Sequence, residues 1–265
     1  MLSVQSGGAH RSLVRVAVVL VSVFLVLALA SRFGFGVFVA TLACVAGFGT
    51  VAYLRSDSAA LQDMRAYPVG EAQQPTLCRI VREMTTRARV PMPRVYVSPT
   101  RAATAFAVGR APHRASVCVT EGALGVLDER ELRAVVGHEL AHIRRGDTLP
   151  ASMAGVVARG VASVPLIGTG VICLTRLALD TAREFDADHA AARMTGEPLA
   201  LASALRKLDA ATRELALPAE PGVVAASHLM IISPLSSVGR WKRFRSHPSL
   251  ADRVARLEQL AGYRR

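Results

Sequence analysis

Aromatic residues are scarce in this 265-residue chain, at 5% with a single tryptophan, and lysine is scarcer, at two residues against thirty arginines. The formal net charge is +12, yet the basic residues are scattered and nowhere interleave with aromatics, so nothing points to a nucleic-acid groove. A basic domain beside anionic lipid is the simpler account. Cysteine is limited to Cys44, Cys78, Cys118 and Cys173, far apart and without a C-x-x-C. That pattern indicates neither a disulfide framework nor a cysteine zinc site, and it suits a reducing compartment. Internal repeats and low-complexity tracts are also missing.

Charge is absent from two runs near the start, between Arg15 and Arg32 and between Arg32 and Arg55. The second reaches the roughly 20 residues that span a bilayer as a helix, and the first does so with Leu13, Val14 and a snorkelling Arg15 included. Two transmembrane helices are therefore expected. The alternative is a cleaved signal peptide followed by one anchor, since Arg11 and Arg15 precede an apolar core ending at Ala28 to Ala30. Arginines flank the pair of runs on the outside (Arg11 and Arg15, then Arg55 and Arg65), with only Arg32 between, so the positive-inside rule places the rest of the chain in the cytoplasm. The expected organisation is a membrane anchor over 1–55, a polar juxtamembrane linker over 56–74 and a compact domain over 75–265.

Within that domain the pattern predicts a helix at Leu77 to Ala88, a strand in "VPMPRVYVSP", and a hairpin made of "TAFAVG" and "ASVCVT". Asp128 with Glu131 opens a helix as a capping box, and apolar residues at helical spacing carry it to Gly146. Further helices are expected over about Thr175 to Thr195, over Pro198 to Leu215, and in "SLADRVARLEQLAG".

The helix opened by Asp128 holds "HELAH". Positions four apart lie about 40° apart around a helix, so His138 and His142 can grip one metal ion from one face. Glu139 then stands beside them, as a general base acting on metal-activated water requires. A catalytic zinc usually has three protein ligands, and the candidates for the third are His189, His228, His247 and the acids of "REFDADH". Glu184 and Asp188 share a helical face, which favours Glu184 as ligand and Asp188 as partner of a ligand histidine. His189 is turned about 100° from Asp188 and reads as a non-ligand. H-E-x-x-H alone is a moderately common accident, and Glu184 and Asp188 would otherwise form an exposed charged face pairing with Arg183 or Arg193.

The blocks "SVCVTEGALGVLDERELRAVVGHELAHIRRGD", "REFDADHAAARMTG", "ASHLMIISPLSS" and "RSHPSLADRVARL" resemble the HtpX-like membrane zinc metallopeptidases, relatives of the CAAX prenyl endopeptidases. The resemblance covers about residues 75 to 260. It implies one zinc ion per chain on His138, His142 and Glu184, Glu139 as general base, Asp188 supporting a ligand histidine, and His247 and Arg253 near the site. His247 would stabilise the oxyanion of the tetrahedral intermediate; the alternative for His247-Pro248 is a plain helix N-terminal turn. Where the family commonly shows N-A-F-A-T-G this chain has Thr104, Ala105, Phe106, Ala107, Val108 and Gly109. That segment would be the edge strand pairing with an extended substrate, so backbone pairing survives while side-chain contacts differ. Relatives often carry two further membrane helices over Leu149 to Leu179. Here the uncharged run from Gly160 to Thr175 contains Pro165 and is too short for two crossings.

The expected protein is thus an α+β, mainly helical, zincin-like metallopeptidase domain with a small β-sheet, preceded by two transmembrane helices. Its partners would be protein or peptide substrates and the lipid bilayer, and by resemblance its role would be membrane-protein quality control. The rivals are a catalytically idle zinc-binding membrane scaffold, against which the intact Glu139 counts, and a prenyl-protein endopeptidase, which needs a chamber of many membrane helices.

Overall fold

The computed structural model describes residues 23–24, 26–161, 181–215, 217, 220–232 and 248–262. The chain divides into two compact units, Met1–Ala52 and Tyr53–Arg265.

In the first unit residues 26–31 are helical, and after a turn helix α1 (Phe35–Arg55) begins. Its 21 residues give a rod of about 31 Å, and among the described residues it alone is long and apolar enough to cross a bilayer. Its large apolar side chains, including Phe35, Leu42, Phe48 and Val51, are exposed. Of the first apolar run, residues 16–22 and 25 lie outside the described residues, so the structure describes one candidate crossing where two were expected.

The second unit begins with a short helix, α2 (Ala59–Asp63), and a two-residue strand, β1 (Tyr67–Pro68). Both fall in the segment expected as a linker, and Ala60, Leu61 and Met64 are buried there. Helix α3 (Pro75–Ala88) starts on a proline whose missing N–H costs a first turn nothing, and Arg89 in the left-handed region ends it. Strands β2 (Arg94–Ser98), β3 (Ala105–Val108) and β4 (Ser116–Thr120) come next, the last two joined through a 3-10 turn at Pro112–Arg114. The sheet order is β1-β2-β4-β3. β3 and β4 form the expected antiparallel hairpin, whereas β2 pairs with β4 in parallel.

After β4 come α4 (Glu121–Val126) and the long helix α5 (Glu129–Arg145). The capping box is present: the Asp128 carboxylate accepts from the Glu131 N–H at 2.9 Å, and Glu131 accepts from the Asp128 N–H at 2.9 Å. Helix α6 (Thr148–Val161) begins at once, then α7 (Thr181–Thr195), α8 (Pro198–Glu214), α9 (Pro221–Ala226) and α10 (Leu250–Leu260). Residues 162–180 are not among those described, so how Gly160 to Thr175 lies against a membrane is outside the structure.

Alternation along β4 divides the core. Val117 and Val119 face α3, α5 and α8 in one apolar cluster with Leu77, Ile80, Val135, Leu140 and Leu205. Cys118, with Phe106 and Val108 of β3, faces a second cluster with Leu61, Met64 and Met230. Helix α5 is thereby buried over much of its circumference, and His138 and Glu139 are fixed on a rigid, capped rod.

Candidate metal and catalytic site

The site lies where α5 meets α7. Burying a histidine and two carboxylates is costly unless each is paired, so their partners decide what the site can do. His138 and His142 project from successive turns of α5, with their Nε2 atoms 3.1 Å apart. From α7, Glu184 brings Oε2 within 3.5 Å of His138 Nε2 and Oε1 within 3.5 Å of His142 Nε2. The ligand atoms of these three residues all lie within 4.8 Å of one another. Two imidazole nitrogens and a carboxylate form a donor set suited to a catalytic zinc with one position left for water or substrate.

Small residues permit the close approach of the two helices. Ala187 and Ala191 of α7 are fully buried, and a Cβ built on Gly137 would come 3.0 Å from the Met84 Cε and 3.6 Å from Ala191.

Behind the donors stands a layer of charge. His138 Nδ1 is 2.9 Å from Asp188 Oδ1, one turn beyond Glu184. Asp188 in turn accepts from Arg253 Nε at 2.7 Å and from Arg253 Nη2 at 2.6 Å. Arg253 is 1% exposed, donates also to the Ile231 carbonyl at 2.8 Å, and lies 3.7 Å from Glu184. Burial opposes ionisation of Asp188, but the Arg253 guanidinium and His138 bring its pKa to about 2. Burial likewise opposes charge on His138, yet the Asp188 and Glu184 carboxylates hold it up at about 9. These carboxylates favour positive charge at that point, whether a proton or a metal ion. His142, with burial dominant, is pushed down toward the neutral form that can ligate.

Glu139 faces the sheet. Enclosure pushes its carboxyl up to about 7, with His138 pulling down, Glu184 pushing up, and Arg253 and the Ala107 N–H pulling down. Its Oε1 is buried with no hydrogen-bond partner among the described residues. A carboxylate with a pKa near neutrality and a free oxygen beside the donor set is suited to proton transfer.

Of the residues expected along a substrate edge, Ala105, Phe106 and Ala107 lie in β3, the outermost strand, and Thr104 just before it; all four are buried. The chain itself occupies part of that edge. The Ile231 N–H donates to the Ala105 carbonyl at 2.9 Å, Phe106 bridges Met230 in antiparallel fashion, and Thr104 Oγ1 donates to the Ile232 carbonyl at 3.3 Å. His189 is exposed and lies outside the cluster. His228 Nε2 lies 2.8 Å from the Ala151 carbonyl and is not in the cluster. His247 is not among the described residues; Ser249, just beyond, caps α10 by accepting from the Asp252 N–H at 3.1 Å. Sequence reasoning missed Asp147, whose Oδ2 is 3.2 Å from His142 Nδ1. The signal available was Gly146 at the helix end, which turns the next residue back toward the helix.

The family model for "Peptidase family M48" matches residues 71–261. A "Protease HtpX homolog" of Kineococcus radiotolerans is 48% identical, covering 83% of this chain and 86% of that protein. Another from Paenarthrobacter aurescens is 44% identical over 82% of this chain and 83% of its own length. A third from Trichormus variabilis is 40% identical over 79% and 82%. Similarity that runs through β2 to β4, both site helices and α10, in proteins of which most of the length is matched, makes the chain a member of peptidase family M48 and a metalloprotease.

Proposed function

We propose that the chain is a membrane-anchored zinc endopeptidase in which His138, His142 and Glu184 hold one zinc ion per chain and Glu139 is the general base. The observation that carries this reading is the convergence of three ligand atoms within 4.8 Å beside a buried Glu139 with an unsatisfied oxygen. When bound, zinc supplies Lewis acidity that polarises the scissile carbonyl and makes water nucleophilic near neutral pH. Glu139 takes the proton from the attacking water and passes it to the nitrogen of the leaving amine as the C–N bond breaks. Asp188, whose Oδ1 is 2.9 Å from His138 Nδ1, is assigned to holding Nε2 toward the ion, and Arg253 keeps Asp188 ionised. His247 is assigned to stabilising the oxyanion, and what the Met230–Ile232 segment leaves uncovered of the edge from Thr104 to Ala107 to pairing with an extended protein or peptide substrate.

The anchor is assigned two crossings, with the protease domain in the cytoplasm, on the arginine distribution around the two apolar runs. Clearance of misfolded membrane proteins is the proposed duty, supported by an apolar helix in the same chain as the protease and by the relatives' kinship with HtpX. The test is digestion of casein and of a model membrane protein by the purified, detergent-solubilised chain, with chelator and then with re-added zinc. Cleavage should vanish with chelation and return with zinc; cleavage that ignores the chelator sinks the metal mechanism.

A further inference from the structure

Each ring that offers Nε2 to the proposed zinc must place the hydrogen on its Nδ1, and that N–H needs an acceptor to fix the tautomer and ring orientation. For His138 the acceptor assigned above is Asp188, 2.9 Å from Nδ1. For His142 we infer that it is Asp147, a positioning residue that aims the second ligand histidine; the inference rests on the zinc reading above and extends it to a residue with no assigned role.

The local fold delivers Asp147 to that place. Gly146 adopts the left-handed region (φ 73°), which reverses the chain at the end of α5. The Asp147 N–H then donates back to the His142 carbonyl at 3.0 Å, and the Gly146 N–H to the Ile143 carbonyl at 3.1 Å. This is the two-bond reversal that satisfies the last carbonyls of a helix, and it favours a residue without a Cβ at the turning point. The residue after the glycine is thus folded under the ring of His142, and its carboxylate reaches Nδ1 at 3.2 Å.

Two cations hold the carboxylate there. Arg183, on α7 next to Glu184, is 3.6 Å from Oδ1, and Arg145, in the last turn of α5, is 3.5 Å from Oδ2. The site therefore has two parallel chains of charge: Arg253 to Asp188 to His138, and Arg183 with Arg145 to Asp147 to His142. The second is the wetter, with the Asp147 side chain 15% exposed against 4% for Asp188. Water can partly replace Asp147, so its removal should cost less than removal of Asp188, near the lower end of the roughly 10- to 100-fold range for such partners.

The test is zinc affinity by chelator competition on the full detergent-solubilised chain, comparing wild type with Asp147→Asn, Asp147→Ala and His142→Ala. Melting of the zinc-free proteins is measured in parallel, as is the visible spectrum after cobalt substitution. Asp147→Ala should bind zinc about 10-fold more weakly and alter the cobalt spectrum, while Asp147→Asn, which still offers an acceptor oxygen, should recover part of the loss. Zinc bound by both Asp147 variants at wild-type affinity, with an unchanged cobalt spectrum, overturns the inference. So does a fall confined to zinc-free melting, which would make Asp147 a plain helix-end residue. If Asp147→Ala does not fold, the asparagine variant decides by its cobalt spectrum and affinity. Undiminished zinc in His142→Ala would overturn the metal-site reading instead, and this inference with it.

Discussion

Glu139 and Glu184 are both buried and stand on facing helices, but their partners separate their roles. Glu184 faces both histidine Nε2 atoms, whereas Glu139 faces the edge strand. Glu139→Gln should therefore keep zinc near one per chain while peptide cleavage falls by several orders of magnitude, and Glu184→Ala should lose the metal. Metal analysis beside a peptidase assay decides; a Glu139→Gln protein without zinc and a Glu184→Ala protein with it would exchange the two roles. Asp188→Asn should weaken zinc affinity or activity by about 10- to 100-fold without unfolding the domain. Arg253 calls for a different measurement. Its removal leaves the buried Asp188 with His138 alone beside it, so Arg253→Met should lower stability by about 3 kcal/mol in denaturant unfolding. An Arg253→Met protein as stable as wild type would mean that water reaches Asp188 freely.

The site is made by two helices, and each depends on a feature away from the chemistry. The N-terminus of α5 is closed by the reciprocal bonds of Asp128 and Glu131, with Glu131 also accepting from Lys207 at 2.7 Å and Ser203 at 2.7 Å. Asp128→Ala removes the cap and should cost about 1 kcal/mol of stability with zinc affinity intact, because the cap lies several turns from His138. The contact between α5 and α7 is more demanding. At Gly137 an added Cβ meets only the flexible end of Met84 at close range, so Gly137→Ala should be tolerated. Gly137→Leu should cost about 1–3 kcal/mol and weaken zinc binding, because α7 carries Glu184 and must move out. Equal zinc affinity in the leucine variant would show that Glu184 does not depend on the helix spacing.

At the scale of the whole molecule, His142 and Glu184 stand on one site although α6 and residues 162–180 intervene. Over its described residues helix α6 has 14 residues, about 21 Å. It is tied to the folded unit by the Arg159–Asp63 ion pair and by the bond between His228 and the Ala151 carbonyl. Reporters fused at Asp147, at Asp180 and after the last residue should thus all read the same side, the cytoplasmic one under the proposed topology. Opposite readings at Asp147 and Asp180 would exclude a shared ion, and extracytoplasmic readings at both would revive a cleaved signal peptide.

By itself the order of residues determined what is local. Helical spacing put His138 and His142 on one face, and Glu184 with Asp188 on another. Asp128, Glu131 and Gly146 marked the ends of α5, and apolar alternation marked the β3–β4 hairpin. The ion pairs and strand pairings that complete the site join positions distant in sequence, and such contacts leave no periodic trace. Nothing in the chain's pattern says that Arg253 should meet Asp188, that β2 should lie parallel to β4, or that Met230 to Ile232 should close part of the β3 edge. The segment over 56–74 reads as polar because α2 and β1 are too short for a period to show, yet Leu61 and Met64 are buried against Phe106 and Met230. Helix α6 was hidden for a related reason, since an apolar stretch of that length suits a membrane surface and a protein core alike. Only burial in three dimensions, where each charge must find a partner and each apolar face a cover, decided the pairings that complete the site.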